Sequence, residues 1–163
     1  MAGPQELLLF RHGIAEERGG PTPEPLRALT PAGRRRTTAV AQRLAALKLG
    51  ADLLISSPLP RALQTAEIAL EAGLAPRLAM DPALAPGGDA WQLVHTATAE
   101  RLMLVGHEPH LSALACRLLG APPGALTLRK AGLAVLVLQP VANLRLLLTP
   151  KLLLAAASAT AHA

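Results

Sequence analysis

Tyrosine is absent from this chain, and Phe10 and Trp91 are its only aromatic residues. Recognition of single-stranded nucleic acid by base stacking needs aromatic platforms, so that class is excluded. The net charge is +5, yet the only dense basic cluster is Arg34-Arg35-Arg36. That falls far short of a basic stripe, and the expected place of the cluster is the solvated face of a helix. Cysteine is almost absent as well. Cys116 stands alone, so no intrachain disulfide can form. It lies within an apolar helical pattern and reads as a small buried hydrophobe. A cysteine phosphatase would need an arginine closing a short loop after the nucleophile. Arg117 is adjacent and points elsewhere on the helix.

No segment approaches ~20 uninterrupted apolar residues, the length that spans a bilayer. Pro150 and Lys151 interrupt the apolar C-terminal stretch. Met1 to Glu6 lacks a basic n-region, and the apolar run after it is too short for a signal peptide. A cytoplasmic protein with no membrane and no nucleic-acid partner is expected. His107 and His110 share a helix face by spacing. No third ligand lies nearby and no zinc pattern is present, so neither metal nor cofactor is expected.

What the chain does have is a 51% hydrophobic composition over 163 residues. That length suits a single domain, 1–163 with its core at about 7–149, and needs no disulfide to fold. Leu7 to Phe10 read as a buried strand. It ends in Arg11-His12-Gly13. A fixed cation and a titratable nucleophile thus meet at the C-terminal edge of a sheet, where open α/β folds bind ligands. Gly13 allows a sharp turn there.

Two later segments supply matching groups. Leu53 to Ile55 run into Ser56-Ser57-Pro58-Leu59-Pro60, then into a helix with Arg61 in its first turn. Leu102 to Val105 run into Gly106-His107-Glu108-Pro109, with Pro109 suited to a first helical turn. Arg11, His12, Arg61 and His107 then converge with helix N-termini. Such a pocket suits a doubly negative tetrahedral group, because planar guanidinium forks donate bidentately and helix N-termini offer free N–H groups.

The order and spacing of these blocks resemble the histidine phosphatase (phosphoglycerate mutase-like) superfamily, and within it the short phosphohistidine phosphatase branch. Arg11-His12-Gly13, Leu29-Thr30-Pro31-Ala32-Gly33, Ser56 through Ala66, and Val105-Gly106-His107-Glu108-Pro109 carry the likeness, which runs from about Leu7 to Leu148. It implies metal-independent phosphoryl hydrolysis through phospho-His12. Arg11, Arg61 and a protonated His107 would bind the phosphoryl oxygens, and Arg27 would face the substrate. The implied partner is a protein carrying phosphohistidine. A small-metabolite phosphate ester and a non-catalytic phosphate-binding module are the alternatives. Many members carry a glutamate general acid where this chain has Ala83. Asp81 and Asp89 flank it, and the sequence assigns the role to neither. A phosphohistidine substrate tolerates that gap, because its leaving imidazole can be protonated on its own second nitrogen, whereas an alkoxide needs a positioned donor.

Strands alternate with helices, and the strands are continuously apolar. Both features point to a parallel sheet covered on both faces, a three-layer α/β/α sandwich without a cap domain. Thr30-Pro31 should start a helix running to about Leu47, closed by Gly50. A second helix should span Pro60 to Ala72. Leu78 to Met80 form a short strand, and Asp89 caps a helix bearing Trp91. Arg101 to Val105 and Pro109 to Leu119 follow as strand and helix. Leu133 to Gln139 and Leu144 to Leu148 should form a hairpin, placing one antiparallel strand in the sheet. Glu16 to Pro25 reads as a mobile loop over the site. Residues from Ala155 are expected to fray.

Overall fold

The computed structural model describes residues 3–160, with side chains as far as residue 155. Its strands are β1 (Glu6–Arg11), β2 (Leu53–Ser56), β3 (Leu78–Met80), β4 (Arg101–Gly106), β5 (Leu133–Val137) and β6 (Asn143–Leu148). Its α-helices are α1 (Pro31–Ala46), α2 (Pro60–Glu71), α3 (Trp91–Thr96), α4 (His110–Leu119) and α5 (Pro150–Thr160). Short 3₁₀ turns cover Glu24–Leu26 and Pro82–Leu84.

The six strands form one sheet in the order β3-β2-β4-β1-β5-β6. β1 pairs parallel with β4, from Glu6 opposite Arg101 to Arg11 opposite Gly106. β5 runs antiparallel to both of its neighbours, β1 and β6. It is the one strand reversed against the other five, as the apolar pattern indicates.

Side chains alternate across a strand, so a strand covered on both faces must be apolar throughout. β1 obeys this. Leu8 and Phe10 pack with Val40 and Leu44 of α1 and Ala62 and Ala66 of α2. Leu7 and Leu9 pack on the other face with Val94 of α3 and Leu111, Leu114 and Ala115 of α4. Cys116 is buried in that second layer. Arg34, Arg35 and Arg36 lie exposed on α1.

Thr30 caps α1 by accepting the Gly33 amide at 2.9 Å, an interaction worth about 1 kcal/mol. The far end of α1 corrects the sequence reading. Leu47 is its C-cap, and Lys48 takes the left-handed conformation at φ 58°. Gly50 instead provides room, since a Cβ there would lie 2.7 Å from the Leu74 carbonyl oxygen. Pro109 likewise stands one residue earlier than expected, as the N-cap of α4.

The C-terminal helix is the largest departure. The chain beyond Leu148 enters α5, which continues through Thr160 instead of fraying from Ala155, and residues 161–163 lie outside those described. Thr149 accepts the Leu152 amide at 3.3 Å, and Pro150 occupies the first helical position. The Thr149-Pro150 pair repeats the Thr30-Pro31 pair that starts α1. α5 packs on α1, burying Leu153 in the same layer as Val40 and Leu44.

Candidate active site

The C-terminal ends of β1, β2 and β4 lie side by side because these strands are parallel neighbours. Each delivers its following residues to one edge of the sheet. His12 extends β1, its amide donating to Gly106 O at 3.0 Å and its carbonyl accepting from Ala131 at 3.0 Å. The ring is fixed as firmly. Nδ1 lies 2.7 Å from the Gly13 carbonyl oxygen. A carbonyl can only accept, so Nδ1 carries the proton and Nε2 keeps the lone pair.

Gly13 has no positive φ. It is required for space, because a Cβ there would sit 2.1 Å from Thr37 Oγ1. Its amide donates to Thr65 Oγ1 at 3.0 Å, and Thr65 Oγ1 donates to the Arg61 carbonyl at 2.8 Å. Thr65 lies one helical turn after Arg61, so a single face of α2 both carries the arginine and anchors the loop after β1. The sequence reading gave Thr65 no role. Its signal was the four-residue spacing from Arg61.

The structure brings Arg11, His12, Arg61 and His107 together. The rings of His12 and His107 lie 5.1 Å apart, centroid to centroid. His12, Arg61 and His107 are 6%, 2% and 2% exposed, and Arg11 is partly buried. Burial pushes the His12 pKa down to about 3, and repulsion from His107, Arg61 and Arg11 adds to this against the opposing Gly13 hydrogen bond. The ring is therefore neutral at pH 7. Burial likewise pulls His107 down to about 4, with Arg61, His110, Arg11 and Arg27 contributing. The expectation of a protonated His107 is thus corrected for the ligand-free protein. Desolvation and the neighbouring guanidinium charges both oppose a third cation there.

Arg11 Nη1 donates to the Leu128 carbonyl at 2.8 Å. Glu108 holds that segment in turn, accepting the Leu128 amide at 3.3 Å and the Ser112 amide at 3.0 Å. Glu108 is a second contributor without a role in the sequence reading, although it stands beside His107. Arg27 reaches the cluster indirectly. Its Nε and Nη2 fork onto the Glu24 carboxylate at 2.7 and 2.8 Å, and Nη1 donates to Glu16 O at 2.6 Å. The Glu24 carboxylate also meets Arg61 at 3.4 Å. The loop taken for a mobile cover is thus tied to the site by its own carboxylate, and Ala15 and Leu29 bridge its base.

Three buried nitrogens in this cluster have no hydrogen-bond partner: Arg11 Nε, Arg61 Nε and His107 Nδ1. Buried polar groups are normally paired. The three come from the end of β1, the first turn of α2 and the residue after β4.

The flanking aspartates hold local structure. Asp81 accepts the Ala83 amide at 2.8 Å, capping the Pro82–Leu84 turn. Asp89 accepts the Trp91 amide at 2.9 Å and pairs with Arg117 at 3.4 Å, while that guanidinium lies over the Trp91 ring. Ala83 borders a cavity of about 180 Å³ between this turn and α4, lined also by Asp89, His110 and Arg117. His110 Nε2 accepts the Gly87 amide at 3.0 Å, whereas His107 Nε2 meets Ser57, so the two imidazoles serve different partners. Among the described residues, no group of three or more His, Cys, Asp or Glu side chains is placed to hold a metal ion. Nor is any helix among them long and apolar enough to cross a membrane.

The fold is an α/β sandwich with two arginines and two histidines gathered at the carboxyl edge of its sheet. Comparison with known proteins agrees. Residues 7–85 match the family model of the histidine phosphatase superfamily (branch 1). An uncharacterized protein of Picosynechococcus sp. is 42% identical over 135 residues, covering 78% of this chain and 82% of its own length. A putative phosphohistidine phosphatase SixA from Nakamurella multipartitia has the same fold, with TM-score 0.70 and 26% identity over 91% of this chain and 98% of its own. The protein histidine phosphatase SixA complexed with tungstate aligns with TM-score 0.75 and 22% identity over 90% and 97%. The chain belongs to the histidine phosphatase superfamily, with a SixA-like fold, and is a phosphatase by that membership.

Proposed function

We propose that this phosphatase removes phosphoryl groups from phosphohistidine on proteins, through a phosphohistidine formed on its own His12. The observation that carries this reading is the set of unpartnered nitrogens on Arg11, Arg61 and His107, the last with its ring 5.1 Å from that of His12. Neutral His12 attacks phosphorus in line through Nε2, the nitrogen left free by the Gly13 hydrogen bond. Arg11 and Arg61 hold the equatorial oxygens as charge develops, and His107 contributes Nδ1. Arg27 orders the entrance through Glu24. Water then attacks phospho-His12 in the same cradle. The guanidinium groups supply the positive charge, so a divalent metal has no necessary part.

The substrate class follows from the proton inventory. Glu24 is the carboxylate paired with Arg61, and its bond to Arg27 lowers its pKa below the ordinary value, while Glu108 accepts the Ser112 and Leu128 amides. Glu24 is ionised at neutral pH and cannot give a proton. Asp81 and Asp89 are engaged elsewhere. A leaving group that protonates itself suits such a site, and the imidazole of phosphohistidine does so.

The test compares rates on a phosphohistidine protein with rates on alkyl phosphates such as sugar phosphates, with EDTA present throughout. The phosphohistidine protein should react faster by roughly 10²–10⁴, the usual worth of a positioned general acid. Equal or faster turnover of the alkyl phosphates would make a small metabolite ester the substrate. Binding without turnover of any of them would make the protein a phosphate-binding module.

A further inference from the structure

His107 lacks a partner on one nitrogen and has a specific one on the other. Its Nε2 lies 2.8 Å from Ser57 Oγ. Ser57 follows β2 and is wholly buried. Its hydroxyl also accepts the Leu59 amide at 3.3 Å, just ahead of α2. A hydroxyl has one proton and two lone pairs. Leu59 uses one lone pair. The serine proton has an acceptor in His107 Nε2, and giving it there leaves only His107 Nδ1–H unpaired. In the reverse arrangement Nε2 would donate to Ser57, leaving the buried serine proton without an acceptor. His107 Nδ1 would then be a buried lone pair without a donor as well.

We propose that Ser57 is a positioning residue that fixes His107 as the neutral Nδ1–H tautomer, turning it into a donor toward a bound oxyanion without a proton from solvent. The consequence is a division of labour between two rings in the same tautomer. His12 gives its Nδ1 proton to the Gly13 carbonyl and presents a lone pair. His107 accepts from Ser57 at Nε2 and presents an N–H. The opposite tautomer of His107 would point a lone pair at phosphoryl oxygens and repel them. Ser57 touches no substrate atom in this scheme. It acts through His107, from the turn that leads into the helix bearing Arg61.

This inference rests on the reading of the pocket as a phosphoryl site, so the experiment separates the two. Protein labelled with ¹⁵N-histidine is examined by two-bond proton–nitrogen correlation at pH 7, with His107 assigned by its loss in His107→Gln. The expected spectrum shows a protonated-type nitrogen at Nδ1 and a bare-type nitrogen at Nε2. The reverse pattern overturns the inference. Adding vanadate should shift the Nδ1 signal. A correct tautomer that ignores vanadate would instead overturn the pocket reading. Ser57→Ala should move His107 toward the Nε2–H tautomer and reduce kcat at least tenfold with a smaller change in KM. Ser57→Thr, which keeps the hydroxyl, should recover most of that loss. Unchanged tautomer and kcat in Ser57→Ala would refute the role. If Ser57→Ala fails to fold, the wild-type spectrum alone decides.

Discussion

Glu24 holds Arg61 at two points: its carbonyl accepts from Nη1 at 3.2 Å, and its carboxylate meets Nη2 at 3.4 Å. The same carboxylate forks onto Arg27. In the ligand-free protein an internal anion therefore occupies guanidinium donors that a phosphoryl group would use. Arg61 is buried and stays charged, so it needs such a counter-ion when substrate is absent.

Glu24→Gln removes the competing charge but keeps the shape. Inhibition by vanadate or inorganic phosphate should then tighten several-fold. A titration of turnover against vanadate in both proteins checks this. Weaker inhibition in the variant would mean that Glu24 serves chiefly to hold Arg27 in place.

Acid should act on stability through the two imidazoles. The folded pKa values, about 3 for His12 and about 4 for His107, lie below the ordinary 6.5. Between these limits the unfolded chain binds more protons than the native one, so stability is lost as pH falls from about 6.5 toward 3. Melting temperatures measured from pH 7 to pH 4 should fall more steeply in the wild type than in a His12→Gln, His107→Gln double variant. Saturating phosphate should flatten the wild-type slope, because an anion makes protonation of His107 favourable. Parallel slopes in the two proteins would show that neither imidazole is depressed.

The missing acid yields a third expectation. Asp81→Asn keeps a capping oxygen on the Pro82–Leu84 turn and should leave both stability and phosphohistidine hydrolysis nearly unchanged. Ala83→Glu places a carboxyl at the cavity beside α4. If it reaches the leaving oxygen, alkyl phosphate turnover should rise while phosphohistidine turnover stays level. Loss of alkyl phosphatase activity in Asp81→Asn, measured against p-nitrophenyl phosphate as a good-leaving-group control, would reassign the acid to Asp81.

Much of this architecture was legible because the strands are apolar on both faces and end in chemistry. Leu7 to Phe10 could be read as a doubly covered strand, and Arg11-His12 as its edge, with no further information. What escaped the sequence was of two kinds. α5 is hard to see because its Thr149-Pro150 start follows directly on β6, with no loop to mark a new element. The neutral state of His107 in the ligand-free protein is hidden from the sequence because burial is a property of three dimensions. A histidine after a strand reads as a cation until its neighbours, Arg61 and Arg11 from other strands' edges, are placed beside it. The roles of Thr65, Glu108 and Ser57 were hidden for the same reason, since each acts on a residue of another segment.

The central claim is a covalent phosphoryl group on His12, and trapping it tests that claim most directly. Wild-type protein mixed with radiolabelled phosphohistidine protein or phosphoramidate is quenched within milliseconds under alkaline conditions and mapped by peptide. The account expects transient label on the peptide holding His12, stable in base and lost in mild acid as phosphohistidine is, and none in His12→Ala although that variant folds normally. Acid-stable label, label on a different residue, or undiminished turnover by His12→Ala would contradict it.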